Sequence, residues 1–178
     1  MKAKLGRIKL LAMDVDGVLT DGSMYYSENG DELKKFNTRD GMGIQLLKEN
    51  GIKIAIITKE KTKLVERRAN KLRVDNLYQG VENKLLALEE LKNKYNLDYS
   101  EIAYIGDDIN DICVLKKVGI SICPADAIID VKKVCSYIAK KKGGEGVVRE
   151  FYELWENRMI QNHSLKMDNS LAGKSYEM

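Results

Sequence analysis

The chain has 178 residues, 44% of them hydrophobic and 32% charged, with 14 glycines and a single proline. That is enough for one domain with a substantial core, too little for two of full size, and unlike the composition of a disordered or collagen-like chain. The net charge of +3 is small, and the lysines are scattered or alternate with acids, so nucleic-acid binding is not implied.

The N-terminal basic residues precede an apolar stretch that Asp14 and Asp16 interrupt, so it is no signal-peptide core, and no apolar run approaches the roughly 20 residues that span a bilayer. A soluble, cytoplasmic protein with no membrane contact is expected. Cys113, Cys123 and Cys135 are odd in number and sit in apolar contexts, which predicts buried, reduced thiols.

Ile8 to Val15 reads as a buried strand ended by the polar break at Asp16-Gly17. Ser23 to Phe36, with Met24-Tyr25-Tyr26 and Glu32-Leu33 flanking an Asn29-Gly30 turn signal, predicts a projecting β-hairpin. A helix is expected from about Gly41 to Asn50, stopped by Gly51, and then a buried strand Ile52–Thr58. Next come a charged amphipathic helix over Lys61–Leu72, a short strand Asn76–Gln79 and a helix over Asn83–Tyr95.

Ile102–Ile105 is a further strand, running into Gly106-Asp107-Asp108-Ile109-Asn110-Asp111. A short helix, a strand at Ile120-Ser121-Ile122, a helix near Asp130, a strand at Tyr137-Ile138 and a helix from Gly146 to Trp155 complete the pattern. Lys140-Lys141-Lys142 reads as a solvated strand end, with anion recognition as its alternative. The alternation predicts an α/β fold: a three-layer, Rossmann-like parallel sheet whose ligands gather at the carboxyl ends of its strands. Residues 1–157 form the predicted domain, and 158–178 a polar, loosely ordered tail.

An isolated Asp-x-Asp is ordinarily a cap or a turn. Here Asp14 and Asp16 end one strand, Thr58 ends a second, Lys84 opens a helix after a third, and Asp107, Asp108 and Asp111 follow a fourth. Four polar clusters at one end of a sheet predict a site, and each residue type suits phosphoryl transfer. A carboxylate at Asp14 can attack phosphorus without a base to activate it, which suits a chain whose only histidine is His163. Attack by an anion on a phosphate dianion calls for a divalent cation, held by Asp14, Asp107 and the backbone carbonyl of Asp16; magnesium fits that all-oxygen set. Asp16 is placed to protonate the leaving alkoxide and then to activate water, and Thr58 and Lys84 to bind phosphoryl oxygens.

These motifs, in this order, resemble those of the haloacid dehalogenase superfamily over about Ile8 to Phe151, with an aspartate at position 16 as in its phosphatase branch. The resemblance implies a Rossmann-like fold with a hairpin flap and no cap domain, since neither usual insertion site has room for one. Asp14 to Gly22, Phe36 to Gly41, Leu77 to Gly80 and Gly143 to Glu150 are similar to the capless phosphatases acting on 3-deoxy-D-manno-octulosonate 8-phosphate and on nonulosonate 9-phosphates. That branch implies a sugar-acid phosphate substrate, an aspartyl-phosphate intermediate, and a homotetramer in which one subunit covers its neighbour's site.

By the same resemblance Glu60, Arg68 and Lys71 look like the nonulosonate set and Arg39 like the octulosonate enzymes, so the resemblance leans to a nonulosonate ester with the octulosonate one still open; Asn37 and Arg39 join the expected substrate contacts. Lys59 departs from the glycine usual in both. A non-catalytic companion of a cytidylyltransferase that activates the sugar acid is the alternative, disfavoured by the intact Asp14, Asp16, Lys84 and Asp107. A protein phosphatase using an open face is a third possibility.

Overall fold

Strand-forming runs that are apolar on both faces belong in the middle of a layered sheet. In the computed structural model, which describes residues 2–29 and 32–172, β1 (Leu10–Met13), β4 (Lys53–Ile57), β5 (Asn76–Tyr78), β6 (Ile102–Ile105), β7 (Ile120–Cys123) and β8 (Tyr137–Ile138) form a parallel sheet in the order β5-β4-β1-β6-β7-β8. The two-residue strands β2 (Tyr25–Tyr26) and β3 (Glu32–Leu33) pair antiparallel as the predicted hairpin. Residues 30 and 31, at its turn signal, lie outside the described residues.

Side chains alternate across the sheet with period two. Leu11, Met13, Ile54, Ile56, Ala103 and Ile105 face one apolar layer, with α1 (Lys2–Leu5), α2 (Thr38–Glu49), α3 (Lys63–Leu72) and α7 (Val147–Ala172). Leu10, Ala12, Ala55, Ile57, Ile102 and Tyr104 face the other, with α4 (Lys84–Lys94), α5 (Ile112–Leu115) and α6 (Ile129–Val134). The chain moves from β1 outward to β4 and β5, then returns to β6 on the other side of β1 and proceeds to β8. The carboxyl ends of β1 and β6 therefore flank the point where the winding reverses, the crevice in which open α/β sheets bind ligands.

Helix α2 starts earlier than the sequence suggests, because the Asn37 side chain caps it by accepting from Arg39 N. Helix α7 runs on past Trp155 and Asn157 to Ala172, where a loose tail was expected. Polarity suggested an end, but no proline or glycine interrupts 157–172, and extending a nucleated helix costs little per residue. Of the cysteines, Cys123 is buried and Cys135 half-buried, but Cys113 is exposed, contrary to expectation: it lies on the outer side of the short α5. Lys140, Lys141 and Lys142 are exposed just after β8, as a solvated strand end should be.

The start of α7 fixes the loop after β1. Asp40, fully buried in α2, accepts from Gly146 N (3.1 Å) and Val148 N (2.8 Å), satisfying N–H groups that a helix start cannot satisfy internally. The preceding Gly143-Gly144 lies against residues 17–21: a Cβ on Gly143 would sit 2.1 Å from the Gly17 carbonyl oxygen, and Gly144 N donates to Val18 O at 2.9 Å. Asn37 Nδ2 closes the set by donating to Gly144 O at 3.0 Å. Asp40→Ala strands two buried donors, and the expected result is a loss of about 2–3 kcal/mol, read as a melting temperature lower by about 5–10 °C.

Candidate active site

Asp14 leaves β1 with its backbone N–H bonded to Ile105 O at 3.0 Å, so the ends of β1 and β6 are locked in register at the crevice. Its carboxylate, 6% exposed, accepts from Val15 N at 2.7 Å through one oxygen and from Lys84 Nζ at 2.6 Å through the other. Lys84 is the first residue of α4, whose N-cap Asn83 accepts from Leu85 N and Leu86 N; that cap aims the lysine stem inward. Its ammonium, 1% exposed, also donates to Asp111 Oδ1 at 2.8 Å.

Asp111 receives four donors. Tyr104 OH joins Lys84 on Oδ1 at 2.7 Å, and the backbone N–H groups of Asp107 and Asp108 reach Oδ2 at 3.0 and 3.3 Å. It braces the loop that carries Asp107, a role the sequence did not distinguish from ligation. Tyr104 was likewise read only as strand, although a tyrosine among aliphatic residues needs a buried acceptor for its hydroxyl.

Carboxylate oxygens of Asp14, Asp107 and Asp111 lie within 4.8 Å of one another. Burial, and then the Asp111 charge, lift Asp14 from the ordinary 3.8 to about 6 despite Lys84. Burial, followed by the charges of Asp111 and Asp14, lifts Asp107 to about 8. Lys84 is pushed down by burial, but Asp14 and Asp111 outweigh this and hold it above the usual ammonium range. One ammonium does not offset three carboxylates, so the cluster has the charge deficit and the all-oxygen donors that suit a hard divalent cation. The approach of Asp107 depends on Gly17: a Cβ there would stand 1.9 Å from Asp107 Oδ2.

Asp14, Asp16, Thr58, Glu60 and Asp107, with Lys59, Asp108 and Asn110, line a cleft of about 500 Å³. Lys84 does not line the cleft but meets Asp14, which does. Thr58 is buried, held by its backbone N–H on Tyr78 O (2.9 Å) and by Val81 N on its carbonyl (3.1 Å). Both Asp16 oxygens accept from Lys34 Nζ, at 2.8 and 2.7 Å, and the same ammonium donates to Glu60 Oε2 at 2.8 Å. Sequence reasoning missed Lys34. Leu33 is 63% exposed while the Lys34 side chain is enclosed, an inversion that no local sequence signal marks.

The other predicted substrate contacts lie outside this cleft in their own chain. Asn37 caps α2, and exposed Lys71 sits on α3. Arg68 donates to Asn37 O at 2.8 Å and stacks its guanidinium 5.3 Å from the Phe36 ring centre. Arg39 lines a larger groove of about 700 Å³ between α2 and α7, which holds none of the clustered carboxylates. Among the described residues no helix is long and apolar enough to cross a membrane.

Residues 76–151 match the haloacid dehalogenase-like hydrolase family. The chain is 46% identical over 152 residues to the 3-deoxy-D-manno-octulosonate 8-phosphate phosphatase of Escherichia coli K12, covering 85% of this chain and 81% of that one. The structure of the corresponding phosphatase from Moraxella catarrhalis, in complex with magnesium, phosphate and the sugar acid, superposes with a TM-score of 0.86 at 41% identity, over 88% of this chain and 90% of that one. The cobalt-bound Haemophilus influenzae phosphatase gives 0.84 at 34% identity, over 87% and 91%.

The raised values of Asp14 and Asp107 carry a stability consequence. Each binds its proton more tightly folded than unfolded, so the contribution is complete below the unfolded value near 3.8 and is lost as pH rises through about 6 and about 8. In buffer stripped of divalent cations the melting temperature is expected to fall between about pH 4 and about pH 8, and Asp107→Asn to flatten that decline. A scanning calorimetry series across that range measures both.

Proposed function

Since the chain belongs to the haloacid dehalogenase-like hydrolases and is a phosphatase of that fold, we propose that it hydrolyses the terminal phosphate of a 2-keto-3-deoxy sugar acid through an aspartyl-phosphate on Asp14. The observation that carries the proposal is the buried Asp14 carboxylate, held at the strand crossover by Lys84 and Val15 N and facing Asp107. The kinship with octulosonate 8-phosphate phosphatases supports the eight-carbon ester as the first substrate to test. A second reading, a nonulosonate 9-phosphate such as that of ketodeoxynononate or N-acetylneuraminate, rests on the resemblance of Glu60, Arg68 and Lys71 to the nonulosonate set, with Glu60 lining the cleft and paired with Lys34.

In the first half-reaction an Asp14 oxygen bonds phosphorus as the phosphorus–oxygen bond to the sugar breaks. The electron pair leaves on the alkoxide oxygen, which takes the proton of Asp16. In the second, Asp16 takes a proton from water, the water oxygen bonds phosphorus, and the bond to Asp14 breaks with its pair returning to the carboxylate. Thr58 and Lys84 hold the phosphoryl oxygens through both halves. A magnesium ion held by Asp14, Asp107 and the Asp16 carbonyl supplies the charge neutralisation that lets a carboxylate approach a phosphate dianion.

Arg68 and Lys71 stand outside their own chain's cleft, so they reach a substrate only from a second copy. We assign the hairpin, with Tyr25 51%, Tyr26 70% and Leu33 63% exposed, as the surface on which a homotetramer assembles.

Asp14→Asn is expected to lower magnesium-dependent phosphate release by at least about 10³-fold while leaving the fold intact, because it removes the nucleophile and relieves carboxylate crowding. Retention of most activity excludes the covalent route. Across octulosonate 8-phosphate, the two nonulosonate 9-phosphates and hexose phosphates, the sugar-acid esters should be preferred, and equal rates on all would falsify the specificity. Glu60→Arg should move preference toward the octulosonate ester; unchanged selectivity removes Glu60 from substrate choice.

A further inference from the structure

The hairpin does more than project from the domain. Its base is tied to the loop after β1 by an isolated antiparallel bridge between Thr20 and Phe36 and by the Lys35–Asp21 ion pair at 2.9 Å. Between those anchors and β3, Lys34 turns inward. Its side chain has no exposed surface, although Leu33 beside it is largely in solvent. Enclosing an ammonium while exposing a leucine reverses the usual preference and is sustained only when the charge is well paired. Its partners include Asp16, through both oxygens at 2.8 and 2.7 Å, and Glu60 at 2.8 Å.

We infer that Lys34 is a positioning residue for Asp16, fixing the plane of its carboxylate so that the hairpin, and not the sheet alone, sets the geometry of proton transfer. The inference rests on the proposed role of Asp16 as proton donor and acceptor. Asp14 is oriented by a neighbouring N–H and by Lys84 within the core, but Asp16 lies beyond the ladder, partly exposed, and outside the hairpin meets the longer 3.3 Å contact from Thr20 Oγ1. A carboxylate free to rotate presents its oxygen to the leaving group only part of the time, and general acid–base efficiency falls with that fraction. The contact to Glu60 gives the hairpin a hold on both sides of the cleft mouth.

The test compares phenyl phosphate with p-nitrophenyl phosphate, esters of similar shape whose leaving groups differ in their need for a proton, using the full chain with magnesium. In Lys34→Met, kcat/KM for phenyl phosphate should fall much further than for p-nitrophenyl phosphate, so that the nitrophenyl-to-phenyl ratio rises by about tenfold or more. Asp16→Asn should raise it in the same way. Lys34→Arg, whose guanidinium can fork both Asp16 oxygens, should keep the ratio near that of the unaltered chain.

A folded Lys34→Met that slows both esters equally overturns the inference and leaves Lys34 a strut. Should Lys34→Met not fold, Lys34→Gln is read by the same ratio. If Asp16→Asn leaves the ratio unchanged, the inference fails with its premise, a result distinct from an effect of Asp16→Asn that Lys34→Met does not share.

Discussion

The structure depends on one charge arrangement at the carboxyl edge of the sheet, the Lys84 ammonium held between Asp14 and Asp111 at 2.6 and 2.8 Å with almost no exposure to water. Removing two carboxylates and an ammonium from solvent is costly, and attraction in a low-dielectric interior offsets that cost only where the remaining lone pairs are also satisfied. Tyr104 and the backbone N–H groups of Asp107 and Asp108 satisfy them at Asp111. The strand β6, the turn that follows it and the start of α4 therefore converge on this cluster.

The same constraint explains why Asp107 is poised where it is. Asp111 is saturated by donors, so the charge deficit falls on Asp14 and Asp107, the two carboxylates lifted well above the ordinary range. A site that holds the Asp14 carboxylate against neighbouring negative charge stores the need for a cation in its electrostatics. The backbone conformation that admits Asp107 is kept by glycine at position 17, and the loop is pressed into shape from behind by Gly143-Gly144, which Asp40 anchors from α2. Residues more than a hundred positions apart in the chain thus determine the shape of a five-residue loop.

Around this core, the mouth of the cleft is built from less rigid parts. Lys34, Glu60 and Asp16 make a polar strap between the hairpin and the ends of β1 and β4. Its members are half-buried acids around an enclosed ammonium, in contrast to the dry Lys84 cluster. One set of charges is thus held by the sheet, and the other, which includes Asp16, by a projecting element with an apolar outer face.

The parallel sheet and its carboxyl-edge motifs were legible because both signals are local. A buried strand announces itself as an apolar run and its end as a polar break, so Asp14, Thr58, Lys84 and Asp107 could be placed at strand ends or the helix start before any contact was known. The Ile102–Ile105 strand needed no revision, and the caps at Asn37 and Asn83 moved helix starts by only a few residues. Which charges meet was decided by tertiary structure. Lys34 is enclosed between Asp16 and Glu60, Asp111 accepts from four donors, Arg68 donates to Asn37 O, and α7 continues to Ala172. A charged residue's burial is set by partners brought from elsewhere in the chain, and local periodicity carries no information about a partner 18, 26 or 70 residues away.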